Sequence, residues 1–127
     1  MQFDNASPIW AQLVTEFSRR IVTGEWRPDG RIAGVRDLAG ELGVNPNTVQ
    51  RALAELERQG LCRSERTAGR FVTPDTARID DARAGLARQA ADDYVRRVRG
   101  LGMPADHAGR LIEERWDDHH TDPAPGE

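Results

Sequence analysis

Ala39, Gly43 and Val49 follow one another at offsets of four and six residues within residues 35–56, and this spacing limits how the stretch can fold. Two short helices can cross through a tight turn only where a small residue stands at the crossing and the turn residue tolerates a left-handed backbone. Ala39 meets the first condition and Gly43 the second, while Val49 is spaced to pack the second helix against the first. Ordinary helix hairpins rarely meet all three conditions, so the stretch predicts a helix-turn-helix.

Capping residues indicate where the helices begin. Ser7 followed by Pro8 predicts a helix start, with Ser7 as N-cap and Pro8 in the first helical position, and Gly24 offers a C-cap. Asn45 followed by Pro46 predicts the start of the helix after the turn. The first helix carries apolar residues at helical spacing, at Ile9, Leu13, Val14, Phe17 and Ile21.

The periodicity of the sequence changes after Gly60. Residues 61–66 and 71–73 are short strand candidates, and the connection between them, 67–70, has hairpin length and contains Gly69. Three helices followed by one hairpin is the element order of a winged helix.

The chain as a whole predicts a mainly α fold with a small β-hairpin. We expect a winged helix-turn-helix domain at 1–74, a segment of two helices at 75–116, and a flexible polar tail at 117–127.

The charge is unevenly distributed. The net charge is -3, which excludes a uniformly basic coat, but residues 31–73 hold 7 Arg against 5 acidic residues. Residues 74–127 hold 8 Arg against 12 acidic residues. All the basic residues are Arg, a side chain that can bind phosphate or guanine through two donors, although the codon usage of a GC-rich genome explains the same bias.

The helix that begins at Asn45 has one apolar face directed at the core and an opposite face with Asn47, Gln50, Arg51 and Arg58. Gln can pair with adenine and Arg with guanine, and recognition helices meet base edges with their first turns. The alternative is a solvated helix face that contacts nothing.

The predicted hairpin carries Arg63, Arg66 and Arg70 around Gly69. Such a wing can lay arginine along the DNA backbone or into a narrow minor groove. The alternative is a charged surface hairpin, and Glu65 among the arginines weakens the signal slightly.

These residues together resemble the GntR family of bacterial transcription regulators. The resemblance covers residues 8–73 strongly and the helices up to Trp116 more loosely, and the run Asn-Pro-Asn-Thr-Val at 45–49 is similar to the small YtrA-type branch. The residues that carry it are at 35–39, 42–49, 52, 56–57 and 60–61.

The resemblance implies a homodimer that binds a palindromic operator in double-stranded DNA, usually as a repressor. It implies that Arg36 contacts a phosphate or base edge and that Gly69 lies at the wing tip. It also places on the DNA-facing start of the recognition helix Asn45, Asn47, Thr48 and Gln50. With the readout and wing arginines, the predicted DNA-binding set is Arg36, Asn45, Asn47, Thr48, Gln50, Arg51, Arg66, Gly69 and Arg70.

The sequence departs from the family at three points. Gly34 lacks the hydroxyl of the serine that usually precedes the Val-Arg pair, Arg70 stands where threonine is common, and Thr67 replaces a wing glycine. These changes affect the expected phosphate and wing contacts rather than the fold.

The C-terminal helices carry an apolar stripe from Ile79 to Leu101 that has to pack against something. Pairing with a second copy is the simplest solution, as in YtrA-type relatives, and would set two recognition helices roughly 34 Å apart. The alternative is packing against the chain's own first domain. The candidate dimerisation residues are Leu86, Ala90, Tyr94, Val98, Leu111 and Ile112.

This organisation is compatible with a small-molecule effector, but the sequence does not identify one. The segment after the wing is too short to enclose an ordinary ligand pocket within one subunit. A ligand could lie between subunits, with Tyr94 and Trp116 as candidate linings.

Other functional classes find little support in the sequence. No nucleophile–base pair or phosphate-binding loop is present, so we expect no enzyme, no catalytic residue and no cofactor.

The nearest approach to a metal site is the pair His119 and His120 beside Asp117 and Asp118. The side chains of adjacent helical residues diverge by about 100 degrees, so we expect no metal. The remaining alternative is a winged helix that contacts another protein, for which an exposed apolar patch would replace the polar face.

Cys62 is the only cysteine and excludes an intrachain disulfide. We expect a buried, inert thiol, with a redox sensor as the alternative. Without a long apolar run or signal-peptide pattern, the sequence predicts a cytoplasmic protein that contacts no membrane.

Overall fold

The computed structural model describes residues 1–119, which contain five α-helices and one antiparallel hairpin. The elements are α1 (Ile9–Val22), α2 (Val35–Leu42), α3 (Pro46–Arg58), β1 (Cys62–Glu65), β2 (Gly69–Val72), α4 (Thr76–Gly100) and α5 (Ala105–His119). This confirms the predicted fold class, a winged helix-turn-helix followed by two helices.

The helix-turn-helix has the geometry that its spacing predicts. Gly43 ends α2 in the left-handed region, at φ 67°, and Val44 donates a backbone hydrogen bond to the Ala39 carbonyl. Ala39 and Val49 are both buried, so α2 and α3 pack closely at this point. Residues from the first three helices form most of the core, chiefly Leu13, Phe17, Ile21, Leu38, Val49, Leu53 and Leu56.

The start of α1 differs from the prediction by one residue. Pro8, not Ser7, is the N-cap, and the Pro8 carbonyl accepts from the amides of Ala11 and Gln12. The helix has no side-chain capping bond, and the segment before it is held by the Gln12 side chain. The Gln12 amide nitrogen donates to the carbonyls of Asp4 and Ser7, at 2.9 and 2.8 Å.

The hairpin is also shifted from the prediction. Its connection is the three residues 66–68, and Gly69 and Arg70 belong to β2, where they pair with Glu65 and Ser64. Gly69 has φ 106°, which only glycine adopts readily, and this lets the second strand begin earlier than a side-chain pattern indicates.

The start of α4 belongs with the winged helix. Ile79 lies in its core, and Arg83 donates to the Val22 carbonyl at 2.8 Å. The chain accordingly divides into one unit at Met1–Arg83 and a second that starts at Ala84. The first unit therefore extends beyond the predicted boundary at residue 74.

Within the second unit, the later part of α4 packs against α5. Val98 and Ala108 are buried, and the Tyr94 hydroxyl donates to the Ala108 carbonyl at 2.8 Å. Helix α5 continues to His119, so Asp117, Asp118 and His119 are helical, where a flexible tail was predicted. The rest of that predicted tail lies outside the described residues. Every helix within residues 1–119 falls short of the apolar length that a membrane span requires.

Candidate nucleic-acid interface

Helix α3 presents a polar face and buries the opposite one. Asn47, Gln50 and Arg51 are exposed, whereas Val49 and Leu53 are almost completely covered. The division follows from the helical repeat, since residues three and four positions apart share a face. The side chains that the sequence assigned to DNA readout are therefore accessible.

Asn45 has a structural task at the start of this helix. Its side-chain oxygen accepts from the Asn47 backbone amide at 2.8 Å, which makes Asn45 the N-cap, as predicted. Thr48 is half-buried in the first turn. The positive end of the helix dipole lies here, which favours an approaching phosphate.

Gln50 contacts an arginine of the hairpin. Arg70 Nη1 donates to Gln50 Oε1 at 3.5 Å, and Arg70 Nε lies 3.7 Å from Glu57 Oε1. The Arg70 side chain is only 19% exposed and lies against α3. The contact joins the hairpin to α3, a pairing that sequence spacing does not reveal.

Arg51 contacts an aromatic residue of α1. Its guanidinium carbon lies 4.2 Å from the centre of the Trp10 ring, a cation–π distance. The stacking restrains a long exposed side chain on the polar face of α3. Trp10 was not among the predicted site residues, because no local pattern links it to α3.

The hairpin arginines have different environments. Arg66 is exposed and, within residues 1–119, forms no ion pair. Arg63 is not free, since it binds Asp29 at 2.8 Å and stacks on Phe71. Only Arg66 among the hairpin arginines thus projects as a wing arginine is expected to.

Arg31 is a further basic residue at the hairpin that sequence reasoning missed. Its Nε donates to the Ala68 carbonyl at 3.1 Å, and a Cβ added to Gly69 would lie 3.2 Å from the same nitrogen. Glycine at position 69 therefore lets the Arg31 guanidinium approach the hairpin. The turn predicted at residues 28–30 indicates that the chain reverses just before Arg31. It does not indicate which residues Arg31 contacts.

Arg36 lies exposed on α2, and within the described residues it forms no ion pair. Of the predicted DNA-binding residues, six are exposed, namely Arg36, Asn45, Asn47, Gln50, Arg51 and Arg66. The Asn45 side chain is exposed but caps α3, and the Arg70 side chain is half-buried against α3.

The candidate dimerisation residues lie in the second unit in unequal environments. Val98 is buried and Tyr94 half-buried between α4 and α5, whereas Ala90 and Ile112 are exposed and Leu86 and Leu111 are half-buried. Tyr94, Val98 and Ile112 line an apolar groove of about 580 Å³. Trp116, at 74% exposure, and Leu101, at 79%, are further exposed apolar side chains of this unit.

Among residues 1–119, no three His, Cys, Asp or Glu side chains are grouped to hold a metal ion.

Cys62 is buried beside α3. Burial, with the nearby negative charge of Glu57 as a smaller cause, raises the pKa of its thiol to about 11. The Cys62 sulfur faces the Leu53 carbonyl.

Comparison with protein families gives a match over residues 10–72 to the bacterial regulatory proteins of the gntR family. The chain is 31% identical to the HTH-type transcriptional regulator YhcF of Bacillus subtilis, covering 80% of this chain and 84% of that protein. It is 37% identical to the HTH-type transcriptional regulator Rv1152 of Mycobacterium tuberculosis, covering 87% and 88%. It is 26% identical to the HTH-type transcriptional repressor YtrA of Bacillus subtilis, covering 87% and 80%.

Solved structures show the same architecture. A GntR family transcriptional regulator from Listeria monocytogenes superposes with a TM-score of 0.80 at 32% identity, covering 88% of this chain and 98% of that one. The DNA-binding domain of AraR, crystallised with its operator ORX1, superposes with a TM-score of 0.52 at 31% identity, covering 57% and 93%.

Proposed function

This chain belongs to the gntR family of bacterial regulatory proteins, and from that premise we propose that it represses transcription as a homodimer bound to a palindromic operator. Its relatives are helix-turn-helix transcription regulators rather than enzymes. One of them, YtrA, is a repressor, which supports repression as the direction of control.

The observation that carries the proposal is the exposed polar face of α3. Asn47, Gln50 and Arg51 are amide and guanidinium side chains accessible over the first turns of the helix, where recognition helices meet base edges. A protein-binding surface would place apolar side chains there. The proposed DNA contacts are those of the predicted set, Arg36, Asn45, Asn47, Thr48, Gln50, Arg51, Arg66, Gly69 and Arg70, joined by Arg31.

Dimerisation is proposed through the second unit. Val95 and Ile112, each 45% exposed, are at the apolar groove between α4 and α5, and Leu101 and Trp116 are more exposed still. Large apolar side chains gathered on one small unit are typical of an interface. A second copy covers more of this surface than a small-molecule effector would, so we assign the groove to the partner subunit.

The packing of α4 and the length of α5 set the proposed domain boundaries. The DNA-binding domain, predicted at residues 1–74, is extended to Arg83 because Ile79 lies in its core. The residues after it, predicted as a dimerisation segment up to 116, are extended to the end of α5.

DNA binding is tested by gel-shift titration of the protein against genomic fragments at several salt concentrations. We expect sequence-preferring binding that weakens steeply as salt rises, because phosphate contacts release counterions. Binding that shows neither property would leave the protein-binding alternative.

Readout by α3 is tested with Gln50→Ala. We expect it to cost about 1–3 kcal/mol and to relax the preference at one base position in each half-site. Gln89→Ala, an exposed glutamine of α4, is the matched control and should bind as the wild type does. An even loss over all sequences would show that Gln50 contacts the backbone instead.

A further inference from the structure

The Arg70 side chain turns away from solvent, although it is on a surface hairpin. It is 19% exposed, and its buried Nε has no hydrogen-bond partner among the described residues. Burying an unpaired N–H is unfavourable, and an arginine that extended into solvent would avoid that cost. Other contacts must therefore hold Arg70 against α3.

Glu57 is the first of these contacts. Its carboxylate lies 3.7 Å from Arg70 Nε and also accepts a hydrogen bond from the Ser64 hydroxyl. Glu57 is thereby fixed between α3 and β1, and its charge attracts the arginine of β2. The guanidinium is held at a defined place beside the recognition helix.

Gln50 is the second contact, and it lies on the exposed face of α3. Arg70 Nη1 donates to Gln50 Oε1 at 3.5 Å, which occupies one of the two acceptor positions of the amide oxygen. The amide nitrogen of Gln50, with its two hydrogens, is then the fully available end of the side chain, whereas the oxygen keeps a single acceptor position beside the guanidinium.

This arrangement changes which base Gln50 can read. A glutamine that reads adenine accepts from the adenine amino group with its oxygen and donates to N7 with its nitrogen. A guanidinium on that oxygen competes with the adenine amino group and repels it. Guanine presents two acceptors, N7 and O6, and suits the N–H donors of the Gln50 amide nitrogen.

We propose that Arg70 is a positioning residue for Gln50 and that Gln50, held in this way, reads guanine rather than adenine. The inference rests on the proposed function, since it assumes that α3 meets base edges. It assigns Arg70 a role in specificity instead of the phosphate contact expected of a wing arginine.

The test is selection of binding sites from a pool of random duplex DNA, carried out with the full-length wild type, Arg70→Thr and Arg66→Thr. The position read by Gln50 is the one at which Gln50→Ala loses preference. There we expect the wild type to prefer guanine and Arg70→Thr to shift toward adenine by about fivefold or more. Arg66→Thr, the matched control, should weaken binding to all sequences evenly.

Two further variants make the result decisive. Gln50→Ala combined with Arg70→Thr should show the base preference of Gln50→Ala alone, because Arg70 acts through Gln50. Should Arg70→Thr fail to fold by circular dichroism, Glu57→Gln replaces it, and we expect a smaller shift in the same direction since the anchor loses its charge.

Different outcomes would overturn the role proposed for Arg70 and the proposed function. An Arg70→Thr protein that binds every sequence more weakly with unchanged base preference would show that Arg70 is only a backbone contact and overturn the inference. A wild type that prefers adenine at the Gln50 position would also overturn it. A wild type that selects no sequence at all would overturn the proposed function itself.

Discussion

Two asparagines at the start of α3 have different tasks, one in the stability of the fold and the other in the proposed DNA binding. Asn45 caps the helix through the Asn47 amide, whereas the Asn47 side chain is exposed. We expect Asn45→Ala to lower the free energy of unfolding by about 1 kcal/mol, because a backbone donor loses its partner. Asn47→Ala, the matched substitution, should unfold as the wild type does but bind operator more weakly. Urea unfolding and gel-shift titration measure the two effects, and equal stability losses would contradict this division.

Trp10 offers a second test at the residue scale. Its ring stacks on Arg51, so we expect Trp10→Leu, which keeps an apolar side chain on α1, to weaken DNA binding by about 0.5–2 kcal/mol. Trp10→Phe should retain part of the affinity because it keeps an aromatic face. In a double-mutant cycle, Trp10→Leu should cost little once Arg51 is alanine. Additive losses would mean that Trp10 does not act through Arg51.

At the scale of elements, an ion-pair network joins α1 to α2. Glu16 binds Arg19 and Arg20 at 2.9 and 2.8 Å, and Arg20 continues to Glu41 at 2.8 Å. The hydrogen bond from Arg19 and the neighbouring charges hold the pKa of Glu16 at about 2, against an ordinary 4.5, although burial opposes the shift. A carboxylate with a lowered pKa stabilises the fold above its unfolded pKa, and this contribution is lost as pH falls toward 2.

We therefore expect Glu16→Gln to lower the free energy of unfolding at pH 7 by about 1–2 kcal/mol, a value reduced for solvent screening. The difference from the wild type should shrink as pH falls from about 5 to about 2, since both proteins then lack the charge. Urea unfolding at several pH values measures it. Glu113→Gln, an exposed residue of α5, is the control, and a Glu16 effect that did not vary with pH would rule out the ionic origin.

At the scale of the whole molecule, the proposed dimer depends on exposed apolar side chains of the second unit. Ile112→Asp places a charge on a 45% exposed position at the groove, where it hinders association more than it disturbs the monomer. We expect a folded monomer with much weaker operator binding. Sedimentation equilibrium and circular dichroism provide the measurements.

Gln89→Asp is the matched control for that substitution, because it adds a charge to an exposed polar position of α4. It should leave association unchanged. An Ile112→Asp protein that sediments as the wild type does would move the interface to another surface.

The sequence predicted well whatever depends on neighbours along the chain. The left-handed turn at Gly43, the cap at Asn45 and the buried face of α3 each need only a few adjacent residues, and all three were found. It predicted boundaries less well where distant contacts decide them. Pro8 replaces Ser7 as the N-cap of α1, and the pairing of Gly69 with Glu65 lengthens β2.

By itself, then, the sequence determined the helix-turn-helix, the family, and the side chains on the exposed face of α3, since a helix fixes the direction of each side chain by its number. How those side chains are held depends on contacts between elements that are distant in the sequence. Arg70 reaches Gln50 from a strand twenty residues away, and Trp10 reaches Arg51 from another helix. Such contacts arise when elements pack around a shared core, so a local sequence pattern does not predict them.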